Sequence, residues 1–112
     1  MKQIVNTAGY PLSLEDVQSY VGPGWSKLIE KLVEDLFSMG WNGELVQVKE
    51  KFGSLCWYID GGGPKVIQRI DRAELDSTTI CEKCGAPGKN SDWGKYWFKT
   101  LCQEHGEERQ LD

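Results

Sequence analysis

The sequence predicts an α+β fold in which a helix, a β-hairpin and a second helix form a body that precedes a small cysteine-rich module. Three observations indicate this fold: apolar residues at helical spacing from Trp25 to Met39, a pair of strand-like runs after them, and a C-terminal cluster of cysteines with the only histidine. We place the body at residues 1–79 and the module at residues 80–112. A chain of 112 residues has the size of one domain, so the two halves are expected to share one core.

The N-terminal part of the chain carries only weak signals. Residues 1–13 show no apolar period, which predicts an irregular arm. Ser13 followed three positions later by Asp16 resembles a capping box and predicts a short helix that reaches about Tyr20. The Gly-Pro-Gly run at residues 22–24 then breaks this helix.

The second helix has the strongest periodicity of the chain. Gly40 follows its last apolar position and suits the residue just past a helix C-terminus. A stripe of this kind is typical of a core-facing surface, and the intervening positions are charged. Its apolar positions are Trp25, Leu28, Ile29, Leu32, Leu36 and Met39.

A β-hairpin and a third helix complete the predicted body. Residues 44–51 and 55–60 alternate or are rich in β-forming residues, and residues 52–54 indicate the turn between them. The run Gly61–Pro64 leads into a helix with Pro64 in its first turn. Three glycines before a helix can hold a phosphate, but no Gly-Lys-Ser/Thr follows, so this signal is weak. The predicted inner face of the helix is Val66, Ile67, Ile70, Ala73 and Ser77.

The strongest functional signal is a set of two closely spaced ligand pairs. Cys81 and Cys84 form one pair, Cys102 and His105 form the other, and two residues separate the members of each. This spacing is typical of a tetrahedral Zn²⁺ site. Two disulfides or buried free thiols are the alternatives, but Cys56 is the only other cysteine and gives no plausible disulfide framework. We therefore predict one structural Zn²⁺ held by these four residues.

The predicted elements around the ligands describe a finger. Gly85 allows a tight knuckle after Cys84, and residues 93–100 around Gly94 suggest a short β-hairpin. A terminal helix whose first turns cover residues 102–107 would place Cys102 and His105 on one face. Knuckle, hairpin and ligand-bearing helix together predict a treble-clef-like zinc finger.

Composition excludes several classes of protein. The net charge is −4, which disfavours non-specific binding to nucleic acid because that affinity comes from Lys and Arg. No apolar run approaches the length of about 20 residues that a membrane helix needs. The N-terminus does not resemble a signal peptide. A reducing, cytoplasmic location is therefore expected, with no membrane and no small-molecule substrate.

Three segments carry a resemblance to a known group of proteins. They are QVKEKFGSL at residues 47–55, ICEKCGAPG at residues 80–88 and KTLCQEH at residues 99–105. In these segments the chain resembles small zinc-finger proteins that are common in bacteriophages and prophages. The resemblance implies the same two ligand pairs and an accessory protein that works in the cytoplasm of a bacterial host. It implies no particular activity.

Catalysis is not expected from this set of residues. Three cysteines and one histidine close a zinc site, whereas a catalytic zinc keeps a position open for water or substrate. With His105 used as a ligand, no histidine remains as a general base. Glu82, Asp92 and Glu104 lie near the cluster, but solubility is the ordinary role of such carboxylates. We predict a non-enzymatic protein and keep a metal-dependent nuclease as a remote alternative.

Two kinds of binding function remain. Lysines interleaved with aromatic residues could hold a nucleic-acid backbone and stack on bases, although the same aromatics could instead cover the finger against the body. The preferred interpretation is a protein-interaction module that binds and modulates or inhibits a host protein or defence complex. Its expected partner-binding residues are Trp93, Tyr96 and Trp97. The residues considered for nucleic acid are Lys89, Lys95 and Lys99, with Phe98 beside the same three aromatics.

Overall fold

The computed structural model describes residues 3–95 and 97–111 and has an α+β architecture. Within these residues, the strands pair as three separate antiparallel hairpins, β1–β2, β3–β4 and β5–β6. The helices are α1 Leu14–Gln18, α2 Ser26–Ser38, α3 Gly63–Ser77 and α4 Gln103–Leu111. The strands are β1 Ile4–Val5, β2 Pro11–Leu12, β3 Leu45–Lys51, β4 Ser54–Ile59, β5 Lys89–Ser91 and β6 Lys99–Leu101.

The N-terminal arm is more ordered than the sequence predicts. Strand β1 pairs with β2, and Asn6 Oδ1 accepts hydrogen bonds from the backbone N–H of Ala8 at 2.9 Å and of Tyr10 at 3.0 Å. The Val5 N–H also donates to Gly43 O at 2.8 Å and attaches the hairpin to the start of β3. Two-residue strands are too short to show an apolar period, so the sequence gives no signal for them. Met1 and Lys2 lie outside the described residues.

The first two helices follow their predicted caps. Ser13 Oγ accepts from the Asp16 N–H at 3.0 Å and Asp16 Oδ2 accepts from the Ser13 N–H at 2.9 Å, which confirms the capping box. A 3₁₀ turn over Pro23–Trp25 then leads directly into α2. Gly40, at φ +95°, lies just past the end of α2 in the left-handed conformation that glycine favours.

The β3–β4 hairpin turns over two residues, one fewer than predicted. Phe52 and Gly53 both have positive φ, 53° and 80°, as in a type I′ turn, whose twist suits two-residue hairpins. On the outer edge of β4, the N–H of Leu55 donates to Ser77 Oγ at 2.8 Å and that of Trp57 to Glu74 Oε2 at 2.9 Å. Helix α3 therefore satisfies this edge with side chains.

The hydrophobic core lies between α2, α3 and one face of the β3–β4 hairpin. Trp41 and Trp57 meet edge to face within it, with ring centroids 6.2 Å apart. Ile67 is 51% exposed, contrary to the expected inner face of α3, because the buried stripe of this helix follows Val66 at i+4, i+7 and i+11. The fully buried large side chains of the core include Val17, Trp25, Ile29, Leu32, Leu36 and Leu55.

The hairpin of the C-terminal module differs from the prediction. Strand β5 starts at Lys89 and pairs with β6, and residues 92–98 form the loop between them. The predicted hairpin covered residues 93–100 with Gly94 near its turn, whereas the observed first strand lies at Lys89–Ser91, before that range. Trp93 and Gly94 have φ values of 52° and 80° and belong to the loop, because extended backbone requires negative φ. Asp92 stabilises the loop, because its Oδ1 accepts from the Gly94 N–H at 3.0 Å.

Candidate metal centre

The structure brings the four predicted ligands together. The Sγ atoms of Cys81, Cys84 and Cys102 and a ring nitrogen of His105 all lie within 4.8 Å of one another. Cys81 is buried, Cys84 is exposed, and the other two are half-buried, so the cluster lies at the surface of the module. Such a group of thiols and one imidazole can hold a metal ion.

The spacing of the ligand atoms fits a small tetrahedral ion. Around Zn²⁺, two thiolates would lie about 3.8 Å apart, and a thiolate and an imidazole nitrogen about 3.5 Å apart. The Cys84 and Cys102 Sγ atoms are 3.7 Å apart, and His105 Nδ1 lies 3.5 Å from Cys81 Sγ and 3.2 Å from Cys102 Sγ. All four cysteines of the chain are free thiols, including Cys56. The ligand atoms therefore meet the requirements of a metal site and do not form disulfides.

A tight knuckle presents the first ligand pair. The Gly85 N–H donates to Cys81 O at 2.9 Å, and the Cys81 N–H donates to Ala86 O at 2.8 Å. Gly85 has a φ of 81°, which allows the chain to reverse directly after Cys84. The two bonds fix the backbone on both sides of the pair.

Helix α4 presents the second pair. Cys102 lies between β6 and α4, and His105 lies in the first turn of that helix. The Gly106 N–H donates to Cys102 O at 2.8 Å, which closes this turn. The ring of Trp93 packs on Gly106, where a Cβ would overlap it. Trp93 thus holds the ligand-bearing helix against the loop.

The body supports the knuckle through the 3₁₀ turn. The Gly24 N–H donates to Glu82 O and the Trp25 Nε1–H donates to Ile80 O, at 2.8 and 2.9 Å. The backbones approach so closely that a Cβ on Gly24 would overlap Cys81 O, and one on Gly22 would overlap Glu82 O. The first ligand pair is therefore positioned partly by residues more than fifty positions earlier in the chain.

The thiols differ in how readily they ionise. Burial alone would raise the pKa of the Cys81 thiol. Hydrogen bonds from the backbone N–H groups of Cys102, Cys84 and Lys83 outweigh this effect and lower the pKa from the ordinary 9.0 to about 6. For Cys84, the Ala86 backbone lowers the pKa, but burial and the neighbouring sulfur atoms of Cys81 and Cys102 raise it above the ordinary value. Adjacent thiolates repel one another, so the full set of ligands ionises readily only around a cation.

The turn of the β3–β4 hairpin docks on β6. Thr100 Oγ1 donates to Gly53 O at 2.6 Å, and Asn90 Nδ2 donates to Phe52 O at 3.0 Å. A Cβ on Gly53 would overlap Asn90 Nδ2 and crowd the backbone between Lys99 and Thr100. We name this contact the joint between body and module. The segments QVKEKFGSL and KTLCQEH meet here.

Three charged side chains complete the joint, the buried Glu82 and the half-buried Lys99 and Glu50. Lys99 Nζ lies 2.6 Å from Glu50 Oε1 and 3.3 Å from Glu82 Oε1. Burial opposes the charge of Lys99, but the hydrogen bond to Glu50 and the field of Glu82 outweigh it and raise the pKa of its ammonium group. Glu82 is only 7% exposed and accepts the Thr100 N–H at 3.0 Å. Of the carboxylates considered for catalysis, Glu82 therefore has a structural role, whereas Asp92 and Glu104 are exposed.

The residues considered for partner binding lie in different environments. Trp93 is half-buried against α4, and Tyr96 lies outside the described residues. Trp97 is 63% exposed and its ring stacks on Phe52, with centroids 5.7 Å apart and planes 24° apart. Phe98 is also exposed. We name Phe52, Trp97 and Phe98 the aromatic patch. Of the lysines considered for nucleic acid, Lys99 is engaged in the joint, Lys89 is exposed and Lys95 is half-buried.

Sequence reasoning missed Phe52 as part of this surface. The residue occupies a turn, where a lone aromatic gives no functional signal. It meets Trp97 only because the joint brings β3–β4 against the module. No local pattern could indicate this contact between residues so far apart in the chain.

Comparison with known proteins gives no relative on which to base a function. No family model matches the chain, and neither the curated proteins nor the solved structures contain a significant match. Among the described residues, no helix is both long enough and apolar enough to cross a membrane. The functional argument therefore depends on the site itself.

Proposed function

We propose that this protein is a non-enzymatic interaction module, stabilised by one structural Zn²⁺ in a treble-clef-like finger, that binds a partner protein through the aromatic patch. The exposed Phe52–Trp97 stack carries this proposal. Large aromatic side chains are usually buried in the core. Exposed ones are often hot spots of protein–protein interfaces, where they contribute most of the binding free energy. Here, two of them stack at the joint, where both halves of the chain hold them in place.

The ligand chemistry supports a structural role for zinc. Three thiolates and one imidazole fill the four positions of a tetrahedral ion and leave none for water or substrate. A bound Zn²⁺ would cross-link the knuckle to α4, so its binding free energy would contribute directly to folding. The second pair begins at Cys102, directly after β6, which carries half of the joint. Metal binding would therefore also hold the aromatic patch together.

The resemblance to phage and prophage proteins supports a biological setting for this activity. An accessory protein of this kind would act in the cytoplasm of a bacterial host, by modulating or inhibiting a host protein or a defence complex. A compact scaffold with an exposed docking surface suits such a role because it needs no active site of its own.

Single-stranded nucleic acid is the second candidate ligand. Lys49 Nζ lies 5.7 Å from the Tyr58 ring centroid, and Lys51 Nζ lies 5.8 Å from that of Phe52. Lys51, Phe52 and Tyr58 are exposed, and Lys49 is half-buried. Cations beside exposed aromatic rings are typical of surfaces that stack bases. The acidic net charge of −4 makes this candidate less favourable.

Affinity capture from a bacterial lysate, with and without nuclease, tests the proposal. The bait is compared with Trp97→Ala, and Tyr10→Ala serves as the control because Tyr10 is 69% exposed and distant in sequence from the patch. We expect a nuclease-resistant protein partner that Tyr10→Ala retains. Trp97→Ala should weaken its binding by about 2 kcal/mol, as truncation of an interface hot spot does. A partner captured equally by both variants would contradict the proposal.

A further inference from the structure

The aromatic patch lines a groove whose other lining residues are all charged. The groove has a volume of about 320 Å³ and is lined by the patch, by Lys51 and Arg109, and by the Glu50–Lys99 ion pair. This volume lies at the small end of the range for ligand pockets, about 300–1,000 Å³. The groove can therefore take a few side chains of a partner but not a large ligand.

Of the three cations that line the groove, Lys51 and Arg109 have no anionic partner among the described residues. Lys51 is exposed and forms no ion pair, and its ammonium group lies near the ring of Phe52. Arg109 donates from Nη2 to Trp97 O at 2.7 Å, while its Nη1 is shielded from solvent and has no hydrogen-bond partner. A ligand in the groove can therefore contact Arg109 through the part of its half-buried guanidinium that remains accessible, but not through Nη1.

Among the described residues, Glu50 is the only carboxylate that lines the groove, and both of its oxygens are engaged. Glu50 binds Lys99 through Oε1 and accepts the Gly53 N–H through Oε2 at 2.7 Å. Lys99 is shared between Glu50 and the buried Glu82, so these three groups together carry one negative charge. With Lys51 and Arg109 the charges around the groove sum to +1. The groove presents exposed aromatic surface and two cations without an ion-pair partner, and its complement is an apolar group flanked by anions.

We infer that the partner of the aromatic patch contributes a short acidic peptide segment, with an apolar side chain seated against Trp97 and carboxylates near Lys51 and Arg109. This inference rests on the proposed function. Arg109 can bind a carboxylate with directed hydrogen bonds, and Lys51 can bind a second one as a point charge.

The charge of the surrounding surface favours a short acidic peptide over a nucleic-acid strand. Binding to nucleic acid draws its affinity from many neutralised phosphates, and this groove offers two free cations. Helix α4, which carries Arg109, also presents the exposed carboxylates Glu104, Glu107 and Glu108. Each further phosphate of a long strand that lies along α4 would add to the repulsion from these carboxylates, so they disfavour a long polyanion more than a short acidic segment.

Direct binding to synthetic probes tests the inference without knowledge of the partner. Fluorescence anisotropy is measured with three labelled peptides of about ten residues, which share one central Phe-Leu pair and carry acidic, neutral or basic flanks. A labelled thymidine oligonucleotide of similar length is the fourth probe. We expect the acidic peptide to bind most tightly, with an affinity that falls as salt is added.

Charge variants identify the groove as the binding site. Lys51→Glu should weaken the acidic peptide about tenfold, because one attraction is replaced by a repulsion. Arg109→Gln, which keeps a side-chain donor, should also weaken it. Lys65→Glu makes the same charge change at an exposed position of α3 and should have no effect beyond that of net charge. Circular dichroism and metal content confirm that each variant is folded.

The possible outcomes separate this inference from the proposed function. Equal binding of the neutral or basic peptide, no binding of any peptide, or no loss with Lys51→Glu would overturn the acidic segment. Tighter, steeply salt-dependent binding of the oligonucleotide would instead assign the surface to nucleic acid. If a captured partner depends on Trp97 but not on Lys51 or Arg109, the docking surface stands and the inferred chemistry of its ligand fails.

Discussion

Glu50 and Lys99 form an ion pair of 2.6 Å that joins the body hairpin to the last strand before the metal-binding helix. The two residues are 49 positions apart, and each has a second bond within the joint. The body and the metal-binding module are therefore connected through polar groups that satisfy one another. Several measurable consequences arise from this arrangement and from the metal centre.

Removing one metal ligand should unfold the module. We expect protein purified without added metal to contain about one equivalent of zinc, and Cys102→Ser to lose it together with several kcal/mol of stability. Elemental analysis and thermal denaturation measure the two effects. Cys56→Ser is the control, since Cys56 lies outside the cluster and should keep its metal. A well-folded metal-free protein, or a Cys81–Cys84 disulfide, would contradict the structural site.

Thr100→Val should destabilise the joint. The hydroxyl of Thr100 donates to Gly53 O and accepts from Asn90 Nδ2, and the residue is fully buried. Valine has the same shape but removes the donor to Gly53 O and one of the two acceptors of Asn90 Nδ2, which keeps its bond to Phe52 O, at a cost of about 1–3 kcal/mol. Urea denaturation measures the loss. Thr79→Val is the control, because Thr79 is exposed and its hydroxyl bonds only to Asp76 O in its own helical turn. Equal losses in the two variants would show that the joint contributes no special stability.

Gly24→Ala should displace the knuckle from the body. Its Cβ would overlap Cys81 O and approach Gly85 N to 2.7 Å, so the backbone must shift. We expect lower metal affinity, measured by competition with a chelator, as well as lower stability. Gly40→Ala provides the comparison: a Cβ there meets open space, but its φ of 95° is unfavourable for alanine. That variant should lose about 1 kcal/mol and keep its metal affinity. Unchanged metal binding in Gly24→Ala would refute the role of the 3₁₀ turn.

The ion pair between α2 and α3 should make stability depend on acid. A hydrogen bond from Arg69, at 2.8 Å, and another from Lys31 hold the pKa of Asp35 below its ordinary value of 3.8. A carboxyl whose pKa is lower in the folded state than in the unfolded state stabilises the fold at pH values above its unfolded-state pKa. This contribution is lost as the pH falls through its folded-state pKa. Asp35→Asn should therefore be less stable than the native protein at pH 7, and the difference should shrink below about pH 4.

Chemical denaturation across pH measures this difference. Asp71→Asn is the matched control, since Asp71 lies exposed on α3 and forms no ion pair within the described residues. A constant difference between the Asp35 variant and the native protein from pH 7 to pH 3 would contradict the assignment.

Local signals account for most of what the sequence could predict. The capping box of Ser13, most of the apolar stripe of α2 and the spacing of the ligand pairs each lie within a few residues, and each is found where it was expected. Met39, the last predicted position of the stripe, is 45% exposed because it lies past the last residue of α2. The register of β5 with β6 could not be predicted in this way. It depends on Trp93, whose positive φ ends the extended segment and whose ring packs on α4. Trp97 and Phe98 favour a strand by propensity, but both lie in the loop, where the ring of Trp97 stacks on Phe52.

The body-to-module contacts were also beyond sequence reasoning. Gly53 and Gly24 look like ordinary turn residues in the sequence, yet each permits an approach between backbones that are distant along the chain. In the sequence, Glu82 cannot be distinguished from a solvent-exposed carboxylate, and its burial beside Lys99 is visible only in the fold. Such roles depend on tertiary packing, for which a single sequence has no periodic signal.

Phe52 lies in a backbone conformation that works against its own side chain. At φ 53° in a type I′ turn, asparagine or glycine would be less strained, and an aromatic residue is an uncommon occupant. Phe52 therefore makes the turn less stable than asparagine or glycine would, but it places an exposed ring against Trp97. Phe52→Asn should consequently raise the stability of the hairpin and lower the affinity for the partner. This trade-off is expected where selection acts on binding more than on stability.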